Sequence, residues 1–124
     1  MAILSSIPVL NCQSMEATLS FYQQLLQFVV IKKSELQGRL SWVHIMHGNT
    51  ALMLQAAEEK NANTSPVRRS GITLYFFVDN INELHHFIKL KYTDVSDIKM
   101  THYHMQEFSL IDPEGNNITV AQKS

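Results

Sequence analysis

Six histidines, one cysteine and a scatter of carboxylates are the residues of this 124-residue chain that could carry chemistry. A divalent metal needs imidazole, thiolate or carboxylate donors converging on one point. His44 and His47 stand three apart in a strand-like run, so they point to opposite faces and cannot chelate together. His102 and His104 share a face if their segment is extended, which makes them the one bidentate candidate. Glu107 then falls on the opposite face and does not complete a triad. His85 and His86 lie in a helical pattern, where a partly solvated surface is the plain reading. Cys12 has no basic neighbour to lower its thiol pKa and reads as a small buried hydrophobe.

A lone cysteine also excludes an internal disulfide and suits a reducing compartment, so a cytoplasmic location is expected. The start, MAILSSIPVL, lacks the basic residues and length of a signal peptide. No run approaches the roughly 20 apolar residues that span a bilayer, so no membrane partner is expected. Apolar residues at 45% and charged residues at 17% fit one ordinary globular domain. The net charge is −1, and Arg68-Arg69 is the only adjacent arginine pair. That leaves no basic stripe for a phosphate backbone, so nucleic acid is not expected either.

The elements that must position these residues come in a repeated order. Ile3 to Asn11 is β-leaning, with Pro8 marking an edge or irregular strand. Ser14 reads as an N-cap, and Met15, Leu19, Tyr22 and Leu26 form a helical stripe over Met15 to Gln27, widened by Phe21 and Leu25. Strands follow at Phe28 to Lys33, Leu40 to Met46 and Thr50 to Gln55, with turns at Gly38 and Gly48-Asn49. Residues 56–70, AAEEKNANTSPVRRS, read as a linker. Gly71 to Val78 opens the second half as a strand. Asn80 with Glu83 resembles a capping box for a helix over Ile81 to Leu90. Asp94 to Met100 is a weak strand, Met105 to Ile111 a better one, and Asp112-Pro113-Glu114-Gly115-Asn116 a turn before Asn117 to Ala121.

Each half is therefore βαβββ, which makes the chain α+β. Internal self-similarity supports two copies of one unit, about 3–55 and about 71–122, within a single domain of 1–124. Phe21 and Phe87 are 66 apart, as are Ser14 and Asn80. Gly48-Asn49 and Gly115-Asn116 are 67 apart, as are Gln55 and Gln122.

The segments IPVLNCQSMEATLSFYQQLLQF, ITLYFFVDNINEL and EFSLIDPEGNNITV resemble those of the vicinal oxygen chelate superfamily, of the glyoxalase/bleomycin-resistance type. The DPEGN turn is the most specific piece. The resemblance covers nearly the whole chain and implies two modules whose curved mixed sheets form a cleft. In enzymes of that family a divalent metal in the cleft acts as a Lewis acid. Its ligands come from the first and last strands of each module. Counted from the helix Phe, the first-strand positions fall on Ile7 and Thr73. Counted from the hairpin Gly, the last-strand positions fall on Leu52 and Thr119. None is His, Glu or Gln, so no metal and no other cofactor is expected.

The resemblance and strand parity together assign the cleft face. Ile7 and Thr73 bring Val9, Asn11, Tyr75 and Phe77 with them, and Leu52 and Thr119 bring Leu54 and Ala121. Family geometry adds Glu107 and Ser109, and the repeat adds Trp42 and His44. The ligand-binding candidates are thus Asn11, Trp42, His44, Tyr75, Phe77, Glu107 and Ser109. Aromatic walls with a few orienting polar groups suit a small-molecule pocket. A structural histidine within a half-buried strand is the competing reading for His44.

Two functions remain. The first is a metal-independent binding protein for an aromatic or planar compound, serving protection from a toxin or antibiotic. Bleomycin-binding relatives are acidic dimers whose groove matches a cationic drug. This near-neutral chain suits another planar ligand better, and the resemblance implies a homodimer. The alternative is a glyoxalase-like lyase, transferase or dioxygenase, with either a displaced metal site or His44 and Glu107 as a metal-free acid–base pair.

Overall fold

The computed structural model describes residues 1–57 and 70–124. Most of the segment read as a linker, with Arg68 and Arg69, lies outside the described residues. Contacts divide the chain into two compact units, Met1–Thr64 and Ser65–Ser124.

The first unit runs β1 (Val9–Cys12), α1 (Met15–Leu25), β2 (Val29–Leu36), β3 (Arg39–His47) and β4 (Thr50–Ala56). Its sheet has the order β1-β4-β3-β2, with β1 parallel to β4 and the other pairs antiparallel. The first strand starts later than its apolar run predicts. Pro8 has no N–H to give, and only its carbonyl joins the sheet, accepting from Met53 N at 3.0 Å. One side of the sheet buries Leu10, Cys12, Val43, Ile45, Leu52 and Leu54. Onto that side α1 brings Met15, Thr18, Phe21, Tyr22 and Leu25, so Thr18 takes the buried place predicted for Leu19. Tyr22 meets Phe21 and Phe28 edge-on, at 5.2 and 5.8 Å between ring centroids.

The helix ends two residues before Gln27, for a definite reason. Gln27 takes a left-handed φ of 60°, and Phe28 N bonds back to Tyr22 O at 3.0 Å. A left-handed residue just past the last turn is a common way for a helix to end. His47 completes the end, its Nδ1 lying 3.0 Å from Leu26 O and 3.2 Å from Gln27 O. Carbonyls only accept, so Nδ1 carries the proton.

The second unit runs β5 (Thr73–Phe77), α2 (Ile81–Lys91), β6 (Lys99–Met100), β7 (Met105–Ile111) and β8 (Asn117–Lys123). Its sheet order, β5-β8-β7-β6, repeats the first. Leu74, Phe108, Leu110, Ile118 and Val120 are buried, as are Ile81 and Ile88 of α2. The weak strand expected over Asp94 to Met100 shrinks to Lys99–Met100 and a single bridge from Val95 to Leu110. Between them Ser96 Oγ takes a strand's place, accepting from Ser109 N at 2.8 Å.

Polar bonds tie this unit together. Asn80 Oδ1 accepts from Glu83 N at 3.2 Å, the expected cap of α2. Gln122 Oε1 accepts from Ile81 N at 2.7 Å, and its amide donates to Asp79 O at 2.9 Å. In the DPEGN hairpin, Asp112 Oδ1 accepts from the backbone of Glu114 and of Asn116, each at 2.9 Å. Asp112 Oδ2 takes the Asn116 side-chain amide at 2.8 Å. Gly115 turns the chain at a φ of 86°, where a side chain would be strained.

Candidate functional site

Each sheet has a second face, turned away from its helix. On the first sheet the register aligns Asn11, Gln55, Trp42 and Ser34 in one row, and Val9, Met53, His44 and Lys32 in the next. Matching parity puts both rows on the open face. Asn11 is exposed, and Trp42 and His44 are half-buried with their rings 6.3 Å apart. Nε2 of His44 is buried and has no hydrogen-bond partner among the described residues. Such an atom has lost water without replacement, at a cost of about 1–3 kcal/mol.

On the second sheet Tyr75, Thr119 and Ser109 form one row, and Phe77, Ala121, Glu107 and Lys99 the next. Ser109 Oγ lies 3.2 Å from Thr119 Oγ1, which also accepts from Asn117 Nδ2 at 3.0 Å. Tyr75 and Phe77 meet edge-to-face at 5.2 Å, and both remain exposed, at 38% and 75%. The hydroxyl of Tyr75 donates to Glu107 Oε2, and Tyr103 donates to the same oxygen at 2.7 Å. The hydrogen bond to the carboxylate holds each phenol's pKa above the ordinary tyrosine value, most strongly for Tyr75. Beside this group Ser96, Met100, Tyr103, Glu107 and Ser109 contribute to the wall of a pocket of about 620 Å³.

The seven ligand-binding candidates thus fall on the open faces, Asn11, Trp42 and His44 on one and Tyr75, Phe77, Glu107 and Ser109 on the other. Two further expectations need correcting. Leu52 and Leu54 were expected on the same face as Thr119 and Ala121, but they are buried on the helix side. The hairpins explain it. Two residues separate His47 from its partner Thr50, whereas five separate Ile111 from Asn117. Aligning the hairpin glycines therefore slips β4 by one residue, which reverses every side chain. Met53 and Gln55 are the residues that face outward. Likewise Gln55 and Gln122 are not equivalent, since Gln122 reaches the helix and Gln55 is exposed.

His102 and His104 are the second correction. They lie in a turn, with a φ of 65° at His104, so strand parity does not make them neighbours on one face. Tyr103, between them, was missed by the sequence reading. A turn has no periodicity to say where its side chains go.

A sequence model of the Glyoxalase/Bleomycin resistance protein/Dioxygenase superfamily matches residues 6–120. The chain belongs to this superfamily. A comparison with curated protein sequences found no match. Among solved structures, a bleomycin-binding protein complexed with bleomycin is similar at 17% identity and a TM-score of 0.72, over 98% of this chain and 100% of that one. TnmS3, an antibiotic-binding protein from Streptomyces sp. CB03234, is 17% identical with a TM-score of 0.76, over 100% and 99%. A glyoxalase-related enzyme from Clostridium phytofermentans is 15% identical with a TM-score of 0.77, over 100% and 98%. These likenesses establish the glyoxalase/bleomycin-resistance fold.

Superfamily enzymes imply a divalent metal, and the residues here do not fit one. With the β4 position corrected, the ligand positions carry Ile7, Met53, Thr73 and Thr119. Isoleucine has no donor atom, a thioether is a poor ligand for a hard cation, and the threonine hydroxyls have no carboxylate beside them. Both hydroxyls already accept from Asn117 Nδ2, at 3.4 Å for Thr73 and 3.0 Å for Thr119. Among the described residues no cluster of three or more His, Cys, Asp or Glu could hold a metal elsewhere. No described helix is long and apolar enough to cross a membrane.

Proposed function

We propose that this chain is a metal-independent small-molecule binding protein that holds an aromatic or planar compound on an open sheet face. The observation that carries this reading is His44, whose buried Nε2 lacks a partner among the described residues and lies beside the ring of Trp42. Nε2 is then a hydrogen-bonding position next to a stacking surface, which is what orients a flat ligand. Asn11 on the same face is assigned as a further contact there, and Tyr75, Phe77, Glu107 and Ser109 are assigned as ligand contacts on the second sheet's own face. The superfamily's antibiotic-binding structures support protection from a toxic compound as the use of such binding. A cytoplasmic homodimer is the form in which it would act, and light scattering giving a monomer at micromolar concentration would remove the dimer from the proposal.

The test uses the chain's single tryptophan, Trp42. Neutral naphthylmethanol should quench its emission saturably, and Trp42→Ala should weaken binding measured by calorimetry by about 1–3 kcal/mol. His44→Phe should weaken only those ligands that hydrogen-bond Nε2. Unchanged affinity in Trp42→Ala would take that face out of the site.

A further inference from the structure

We propose that the open face of the second sheet is a subsite for an organic ammonium or guanidinium group borne on the ligand, with Glu107 as its counter-charge and Tyr75, Phe77 and Tyr103 as its rings. This rests on the small-molecule reading above and adds the ligand's charge to it.

Glu107 is fixed unusually well for a carboxylate on an open surface. Tyr75 reaches it from β5 and Tyr103 from the turn before β7, and both hydroxyls converge on Oε2. Two donors from separate segments set the side chain's position, and no hydrogen bond from a described residue engages Oε1. The phenols donate without neutralising, so the negative charge stays on the face. Lys99 is the cation set against Glu107 by the strand register, yet the two make no ion pair. The carboxylate is therefore held in place, and among the described residues it has no salt partner.

Around it stand the surfaces that attract a cation. Tyr75 and Phe77 pack edge-to-face, Phe77 is 75% exposed and Tyr103 51% exposed. A cation within about 6 Å of an aromatic face is drawn to the ring's quadrupole, and a nearby carboxylate adds a charge-assisted hydrogen bond. A neutral aromatic gains only ring contact here, and an anion is repelled. A bare divalent metal is a worse occupant, because one carboxylate does not supply its six or more oxygens. The charge is local, which is why the chain's near-neutral total did not reveal it.

Calorimetry on the full chain at low salt, with naphthylmethylammonium, naphthylmethanol and naphthylacetate, tests the assignment. The ammonium should bind about tenfold tighter than the alcohol, and the acetate weakest. Glu107→Gln should bring the ammonium down to the alcohol's affinity. Lys99→Met should tighten the ammonium, by removing a competing charge. Alcohol binding as tight as ammonium in the unaltered protein would overturn the cation subsite while leaving the small-molecule reading intact. Binding of none of the three would overturn both. The three-probe comparison needs no variant, so it decides the matter even if Glu107→Gln does not fold.

Discussion

On the first sheet α1 brings Phe21 and Tyr22 into an aromatic cluster with Phe28, whereas α2 brings only Ile81 and Ile88 fully under cover. The second unit compensates with polar bonds, from Asn80 and Gln122 at the helix start and from Asp112 and Asn116 in the hairpin. One backbone plan is thus held by packing in one copy and by hydrogen bonding in the other. The open faces diverge as well. The first offers the ring of Trp42 and a ring nitrogen of His44 unpartnered among the described residues, and the second offers a carboxylate held by two phenols.

That contrast can be broken by substitution. Tyr22→Ala should have the largest effect, destabilising the protein by about 3–5 kcal/mol in urea unfolding, because a fully buried ring is lost from the packed copy. Asp112→Ala should follow at on the order of 2–3 kcal/mol, since Asn116 would keep a buried amide without its acceptor. Asn49→Ala, in the two-residue hairpin of the first unit, should cost under about 0.5 kcal/mol. Similar losses for Asp112→Ala and Asn49→Ala would contradict the division between polar and packed copies. Gln122→Ala should cost roughly 1–2 kcal/mol by exposing the Ile81 amide, and Asn80→Ala about 1 kcal/mol.

The smallest effect sharpens the second face. Tyr75 and Tyr103 keep their protons to higher pH in the folded chain than in the unfolded one. Their contribution to stability is therefore full below the ordinary tyrosine pKa and fades as pH rises through the raised values. Ultraviolet titration should show Tyr75 and Tyr103 ionising late, along with Tyr92, which burial raises, and Glu107→Gln should return Tyr75 and Tyr103 alone toward the ordinary value. Late ionisation of Tyr75 and Tyr103 persisting in Glu107→Gln would show that the carboxylate is not its cause.

The sequence made the paired architecture legible because repetition and periodicity survive in it. The helix beginning at Met15, the cap at Asn80 and the DPEGN turn each carry a local signal with a direct physical cause. Parity on β1, β3, β5 and β7 was also readable, which is how Asn11, Trp42, Tyr75 and Glu107 fell on open faces. It failed on β4, where Leu52 stood in for Met53, because hairpin length is set by tertiary pairing and a glycine landmark does not report it. The contact of Tyr103 with Glu107 was illegible for a similar reason, as turn residues obey no period. The buried Nε2 of His44 needed neighbours in space, which no residue count supplies.

The central claim is binding without a metal. Its most direct measurement is a titration of naphthylmethanol into two samples, followed by Trp42 emission: one stripped with a chelator, the other resupplied with zinc or manganese. The account predicts one saturable curve with the same Kd in both samples. Binding that appears only after the metal is returned would contradict it.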